Sequence, residues 1–150
     1  MNEPDRIRRA LETASTIAVV GCSPNPSRAS HAIARFLIEQ GYRVVPVNPG
    51  HREILGLPCS ASLAEIPADV EVDIVDVFRR PEAVASIADQ AIARGASFFF
   101  MQLGVVDPPS ARRLEEAGIG VAMDRCILVE HERLGIPPKS RNEIRGKSVS

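Results

Sequence analysis

The sequence predicts an α/β fold, a doubly wound sheet of about five parallel strands in three α/β/α layers. Three observations predict it. Short runs rich in β-branched residues alternate with stretches of helical periodicity, and glycines and prolines fall at the junctions. The run Ser97 to Leu103 (SFFFMQL) is also apolar enough to be covered on both faces, as central parallel strands are.

Taken in order, residues 3–14 form an amphipathic helix. Asn2 can cap it, its first turn tolerates Pro4, and Ile7, Ala10, Leu11 and Ala14 recur at one face. A first strand begins at Thr16 and stops at Gly21; a Ser/Pro/Asn cluster follows, then a helical pattern to Gln40, a break at Gly41, and a second strand ending at Asn48-Pro49. Pro49 to Val72 reads as irregular surface chain, with Ser62 and Glu65 at capping-box spacing for one brief helical turn. Val72 to Phe78 is a third strand. The helix after it starts near Pro81, carries Val84, Ile87, Ala88, Ala91 and Ile92 as one stripe, and ends at Gly95. Ser97 to Leu103 is the fourth strand, Pro108 to Ala117 a helix closed by Gly118, and Gly120 to Met123 a fifth strand leading to Asp124, Arg125 and Cys126. Residues 1–135 are thus expected to form a single domain. In residues 136–150, Lys139, Arg141, Arg145 and Lys147 face Glu143 alone, which predicts a basic, flexible tail.

Composition narrows the function. With 45% apolar and 25% charged residues, the chain is that of an ordinary globular domain. A net charge of -1 and a shortage of aromatic residues argue against nucleic acid, and no run is long and apolar enough for a membrane span. The charged N-terminus is unlike a signal peptide, so a cytoplasmic location is expected. Cys22, Cys59 and Cys126 are widely spaced and read as reduced thiols, with neither a disulfide framework nor a metal site implied.

In a doubly wound sheet the ligand lies outside the carboxyl ends of the strands, at the point where strand order reverses. The first such end is Gly21-Cys22-Ser23-Pro24-Asn25-Pro26-Ser27-Arg28. It lacks the second and third glycines of a dinucleotide loop, yet offers hydroxyls, an amide, backbone N–H groups and a guanidinium. It reads equally as a phosphate site, with Ser27 or Ser30 capping the next helix, and as a rigid turn. Asn48 and Pro49 stand where a nicotinamide-binding unit carries an acidic residue for the ribose, which argues against NAD. Phe78, Arg79 and Arg80 close the third strand; one arginine can pair with Asp76 or Glu82, and at least one of the two is read as a ligand contact. Asp73 and Asp76 sit in an apolar strand and need partners, Arg125 being the candidate for Asp76. Gln102, Leu103, Gly104 and Val105 end the fourth strand, with Gly104 allowing close approach to the backbone.

No catalytic set emerges. His31, His51 and His131 match no nucleophile and read as exposed or capping histidines. Cys22 is the one reactive candidate, since the helix N-terminus and Arg28 can lower its pKa, against a plainer role as a small buried residue.

The blocks GCSPNPSRASH, GYRVVPVNPG, EILGLPCSASLAEIP, VDIVDVFRRPE, FFFMQLGV and MDRC occur in order at compatible spacings. Over Thr16 to Leu134 the chain resembles the small cytoplasmic CoA-binding proteins related to the N-terminal domain of the succinyl-CoA synthetase α subunit. The resemblance implies a Rossmann-like domain that binds coenzyme A or an acyl-CoA. Gly21, Cys22, Ser23, Pro24, Asn25, Ser27 and Arg28 would then surround the phosphates, Asn48 and Pro49 lie by the nucleotide, and Phe78, Arg79 and Arg80 form the next wall. Gln102, Leu103, Gly104 and Val105 would border the pantetheine arm. Synthetase activity depends on a phosphorylated histidine from a further domain and is not carried over. The leading expectation is non-catalytic CoA binding. Two alternatives stand beside it: an NAD(P)-dependent oxidoreductase or acyl-transfer enzyme, and a thiol regulator forming a Cys22-CoA mixed disulfide. Assembly as a homo-oligomer, or with a protein partner, is left open.

Overall fold

Asn2 and Pro4 begin the first helix as their chemistry dictates. In the computed structural model, which describes residues 1–139, α1 spans Glu3–Thr13, and the Asn2 side chain accepts the Asp5 N–H at 2.9 Å. The apolar runs become β1 (Thr16–Val20), β2 (Arg43–Val47), β5 (Ile74–Val77), β6 (Phe98–Met101) and β7 (Gly120–Met123). The helical patterns become α2 (Ala29–Glu39), α3 (Pro81–Arg94) and α4 (Pro108–Glu116). Gly95, in the left-handed region at φ 71°, stops α3 where a side chain would be strained.

Three stretches depart from expectation. The chain between the second and third long strands is not wholly irregular: β3 (Glu53–Ile54) and β4 (Leu57–Pro58) pair antiparallel. The brief helical turn is the 3-10 segment Leu63–Glu65, but Ser62 makes no side-chain cap; the Ala64 N–H donates to Gln90 on α3 instead. A further helix, α5 (Ile127–Arg133), follows Asp124, Arg125 and Cys126, where no element was expected.

The five long strands pair in parallel in the order β2-β1-β5-β6-β7. Strand order therefore reverses between β1 and β5, and the sheet is the doubly wound, Rossmann-like one expected. Alternation within the strands divides the core into two layers. Ala18, Val20, Val75, Val77, Phe99 and Met101 face α3 and α4, meeting Val84, Ala88 and Leu114. Ile17, Val19, Ile74, Phe98 and Phe100 face the other helices, meeting Leu11, Ala34, Leu37 and Ile127.

The two strand aspartates have different fates. Asp73 accepts the backbone N–H groups of Ser15 and Thr16 at 2.9 and 3.0 Å, tying the start of β1 to β5. Asp76 stands between Val19 and Phe100 in register, is fully buried, and neither carboxyl oxygen has a partner. The expected pairing with Arg125 is not made: Arg125 closes β7, two strands away, and turns outward to Glu3 at 3.3 Å. Burial holds the Asp76 carboxyl well above the usual carboxylate range, which favours the protonated acid.

Contacts continue past residue 135, where the expected tail begins. Ile136 is buried, the Lys139 N–H donates to the Gln40 carbonyl at 2.7 Å, and the Lys139 ammonium reaches the Glu12 carbonyl at 2.6 Å. These first residues of the expected tail pack on the domain, and residues 140–150 lie outside the described ones. Among the described residues, no helix is long and apolar enough to cross a membrane.

Candidate functional site

The strand-order reversal brings the loops after β1, β2 and β5 together. Gly21 makes this possible: at φ 87° it turns the chain sharply, and a β-carbon there would stand 2.7 Å from the Phe78 carbonyl oxygen and 2.9 Å from the Arg79 side chain. Its N–H donates to the Val47 carbonyl at 2.9 Å, and the Asn48 amide donates to the Cys22 carbonyl at 2.8 Å. Asn48 thus ties two strand-end loops to each other, a duty that its polar side chain did not announce.

Around this junction opens a cleft of about 950 Å³, lined by Gly21, Asn48, Phe78, Arg79, Arg80 and Glu82. Beside it lies a smaller pocket of about 230 Å³, walled by Pro49, Leu63, Ile87 and Gln90 and sharing Arg79 with the cleft. The irregular chain forming part of that wall is held to α3 by Arg94, whose guanidinium donates to the carbonyls of Ile66, Pro67 and Val70 at 2.6, 3.0 and 2.8 Å. The backbone acceptors left open by an irregular segment are thereby filled.

The loop from Ser23 to Arg28 is closed on itself. Ser23 Oγ accepts the Asn25 N–H, Asn25 Oδ1 accepts both the N–H and the hydroxyl of Ser27, and the Arg28 N–H donates to the Asn25 carbonyl. Pro24 and Pro26 have no N–H to give. The expected supply of free loop amides is therefore spent internally. Open donors begin one step later, because the first bond of α2 is made by Ala32 to the Arg28 carbonyl, ahead of which lie the amides of Ala29, Ser30 and His31. Neither serine caps this helix: Ser27 serves Asn25, and Ser30 Oγ accepts the Ser23 N–H at 2.9 Å, leaving an N-terminus without a side-chain cap.

The charge balance of the site is simple. The ion pairs among the described residues are Arg113 with Asp89, Arg125 with Glu3, and Arg133 with Glu130. Arg79 pairs with neither Asp76 nor Glu82, and Arg28, Arg79 and Arg80 all stand exposed without an ionic partner among the described residues.

The fourth strand end divides. Gln102 is buried, and its side-chain oxygen accepts the Ile127 N–H at 3.1 Å, so it anchors α5 rather than presenting itself outward. Val105 is buried too. Leu103 is 67% exposed, and Gly104, at φ 84°, donates its N–H to the Asp124 carboxylate at 2.8 Å. Of the four residues that end this strand, Leu103 and Gly104 thus offer a surface.

Of the two readings of Cys22, the structure favours the small buried residue over the reactive thiol. It is fully buried, and burial first, then the nearby Cys59 and Asp76, push its thiol up to about 11. The net shift is upward, opposite to the lowering that a helix N-terminus and Arg28 would bring, which fits the plainer role as a small core residue. His31 and His131 are buried as well, 5% and 3% exposed, where exposed or capping histidines were expected.

With this geometry in hand, known proteins supply an independent view. A family model described as a CoA binding domain matches residues 15–132. The chain is 39% identical over 133 residues to an uncharacterized protein, YneT, of Bacillus subtilis, covering 87% of this chain and 97% of that one. It is similar to a solved structure from Thermus thermophilus at 43% identity, with a TM-score of 0.82 over 89% of this chain and 99% of that chain. It is also 31% identical over 127 residues to an ADP-forming acetate–CoA ligase of Archaeoglobus fulgidus, spanning 80% of this chain but only 16% of the ligase.

Proposed function

This chain belongs to the CoA binding domain family, and from that premise we propose that it binds coenzyme A or an acyl-CoA in the cytoplasm without itself catalysing a reaction on it. One observation carries the reading. Two arginines without ionic partners among the described residues, Arg79 and Arg80, line a cleft at the point where strand order reverses, and Arg28 stands at the N-terminus of α2 on the loop that follows β1. Coenzyme A carries a pyrophosphate and a 3'-phosphate, and guanidiniums meet such groups bidentately. The amides of Ala29, Ser30 and His31 add a helix N-terminus whose cap is missing, a place where a phosphate oxygen satisfies donors that no side chain satisfies.

In this reading the nucleotide lies by Asn48 and Pro49, and the pantetheine arm runs along the strand ends past Leu103 and Gly104. Asn48 in place of an acidic residue leaves a phosphorylated ribose unopposed, which favours CoA over NAD. The burial of Cys22 counts against a mixed disulfide with CoA at that residue.

Titration calorimetry with CoA, NAD and NADP tests the proposal. CoA binding without NAD binding is expected; NAD binding with no heat from CoA at millimolar concentration overturns it.

A further inference from the structure

The phosphate-side loop turns on Ser23, and both backbone polar groups of that residue, N–H and C=O, are gripped by the first turn of α2. The Ser23 N–H donates to Ser30 Oγ at 2.9 Å, and the Ser23 carbonyl lies 2.9 Å from Nδ1 of His31. Both gripping side chains are buried, Ser30 to 6% and His31 to 5% exposure. Every later bond of the loop hangs from this point, since Ser23 Oγ holds Asn25, and Asn25 holds Ser27 and Arg28.

The chemistry of the contacts settles the histidine's tautomer. On its far side, Nε2 of His31 faces the Arg35 guanidinium at 3.3 Å. A guanidinium has only donors, so Nε2 must accept and carries no proton. The ring proton is then on Nδ1, aimed at a carbonyl that can only accept. Arg35, one turn further along α2, thus selects the form of His31 that holds Ser23.

We infer that His31 is a positioning residue of the ligand site: it donates from Nδ1 to the Ser23 carbonyl and so presets the loop that carries Arg28 to the N-terminus of α2. It touches no reacting atom, and its effect reaches the ligand through the loop. The inference rests on the CoA-binding reading for its consequence, though the clamp itself does not.

The test uses substitutions that separate the two ring nitrogens. In His31→Asn the side-chain NH₂ falls near the position of Nδ1 and keeps the bond to Ser23; in His31→Gln it reaches the position of Nε2 and loses it. His31→Ala loses both. Losing one loop-setting hydrogen bond corresponds to roughly tenfold weaker CoA binding for the Gln and Ala proteins, while the Asn protein stays within about threefold of the parent. Amide hydrogen exchange without ligand supplies the second readout: Asn25, Ser27 and Arg28 should exchange faster in the Gln protein than in the Asn protein, with α3 unchanged. Equal CoA affinity in the Asn and Gln proteins overturns the inference. If the parent protein binds no CoA, the CoA reading fails and the exchange data decide the clamp alone, with equal exchange in the two variants refuting it.

Discussion

The backbone of Gly21 lies directly against the Phe78 carbonyl, so close that a β-carbon on Gly21 would stand 2.7 Å from that oxygen. This contact joins the ends of β1 and β5, the two strands between which strand order reverses, and it shapes one wall of the cleft.

Gly21→Ala therefore meets two obstacles at once. The φ of 87° disfavours any β-carbon, and the obstructing atom is backbone, which cannot rotate away. A loss of at least about 2 kcal/mol in unfolding free energy is expected, with weakened CoA binding in whatever remains folded. Denaturant melts of the two proteins check this, and an unchanged midpoint would show that the loops part at little cost.

Arginines at the cleft should behave in the opposite way. Arg79 and Arg80 are exposed and hold no ionic partner among the described residues, so truncation breaks no ion pair of the described fold. Arg79→Ala, at the wall shared by cleft and pocket, should weaken CoA binding by about 1.5–3 kcal/mol while the melting midpoint stays put. Binding to the parent protein should also fall with added salt, and more steeply than binding to the variant. A variant with the parent's affinity would remove Arg79 from the site.

The thiols make a third test. Cys22 is fully buried and its thiol is pushed up to about 11, whereas Cys59 and Cys126 are half-buried. Since the thiolate is the reactive form, alkylation of the native protein at neutral pH should modify Cys59 and Cys126 well before Cys22. Peptide mapping after graded exposure reads the order directly. Early labelling of Cys22 would reopen the mixed-disulfide alternative.

Much of this architecture is visible in the amino-acid pattern for physical reasons. The five long strands are apolar runs bounded by glycine or proline, and parallel strands buried on both faces leave that mark on sequence. Their carboxyl ends then point to Gly21, Asn48, Phe78, Arg79 and Arg80, which the structure does bring to one cleft. What stayed hidden has less local signal. Helix α5 is seven residues long and ends in His-Glu-Arg, its burial coming from neighbours rather than from a stripe. The β3-β4 pair has two residues per strand, too few to show alternation. Side-chain duties within the site are hidden as well, because serine, asparagine and proline look the same whether a loop's amides are free or spent. Only the bonds among Ser23, Asn25, Ser27 and His31 separate those cases.

Asp76 makes stability fall with pH in a way that one substitution isolates. Its carboxyl is fully buried, unpartnered and held protonated by the cost of burying a charge. In the unfolded chain the same carboxyl ionises near about 3.9. Below that pH both states hold the proton and Asp76 contributes no pH dependence. Above it the unfolded chain releases a proton that the folded protein retains, so rising pH favours unfolding, by up to about 1.4 kcal/mol per pH unit until the folded carboxyl itself titrates. Asp76→Asn keeps the shape and the buried polar atoms but cannot ionise. The variant should match the parent near pH 4 and become progressively the more stable of the two toward pH 7. Thermal melts of both proteins across that range measure the difference, and parallel profiles would mean that Asp76 finds a charged partner on folding.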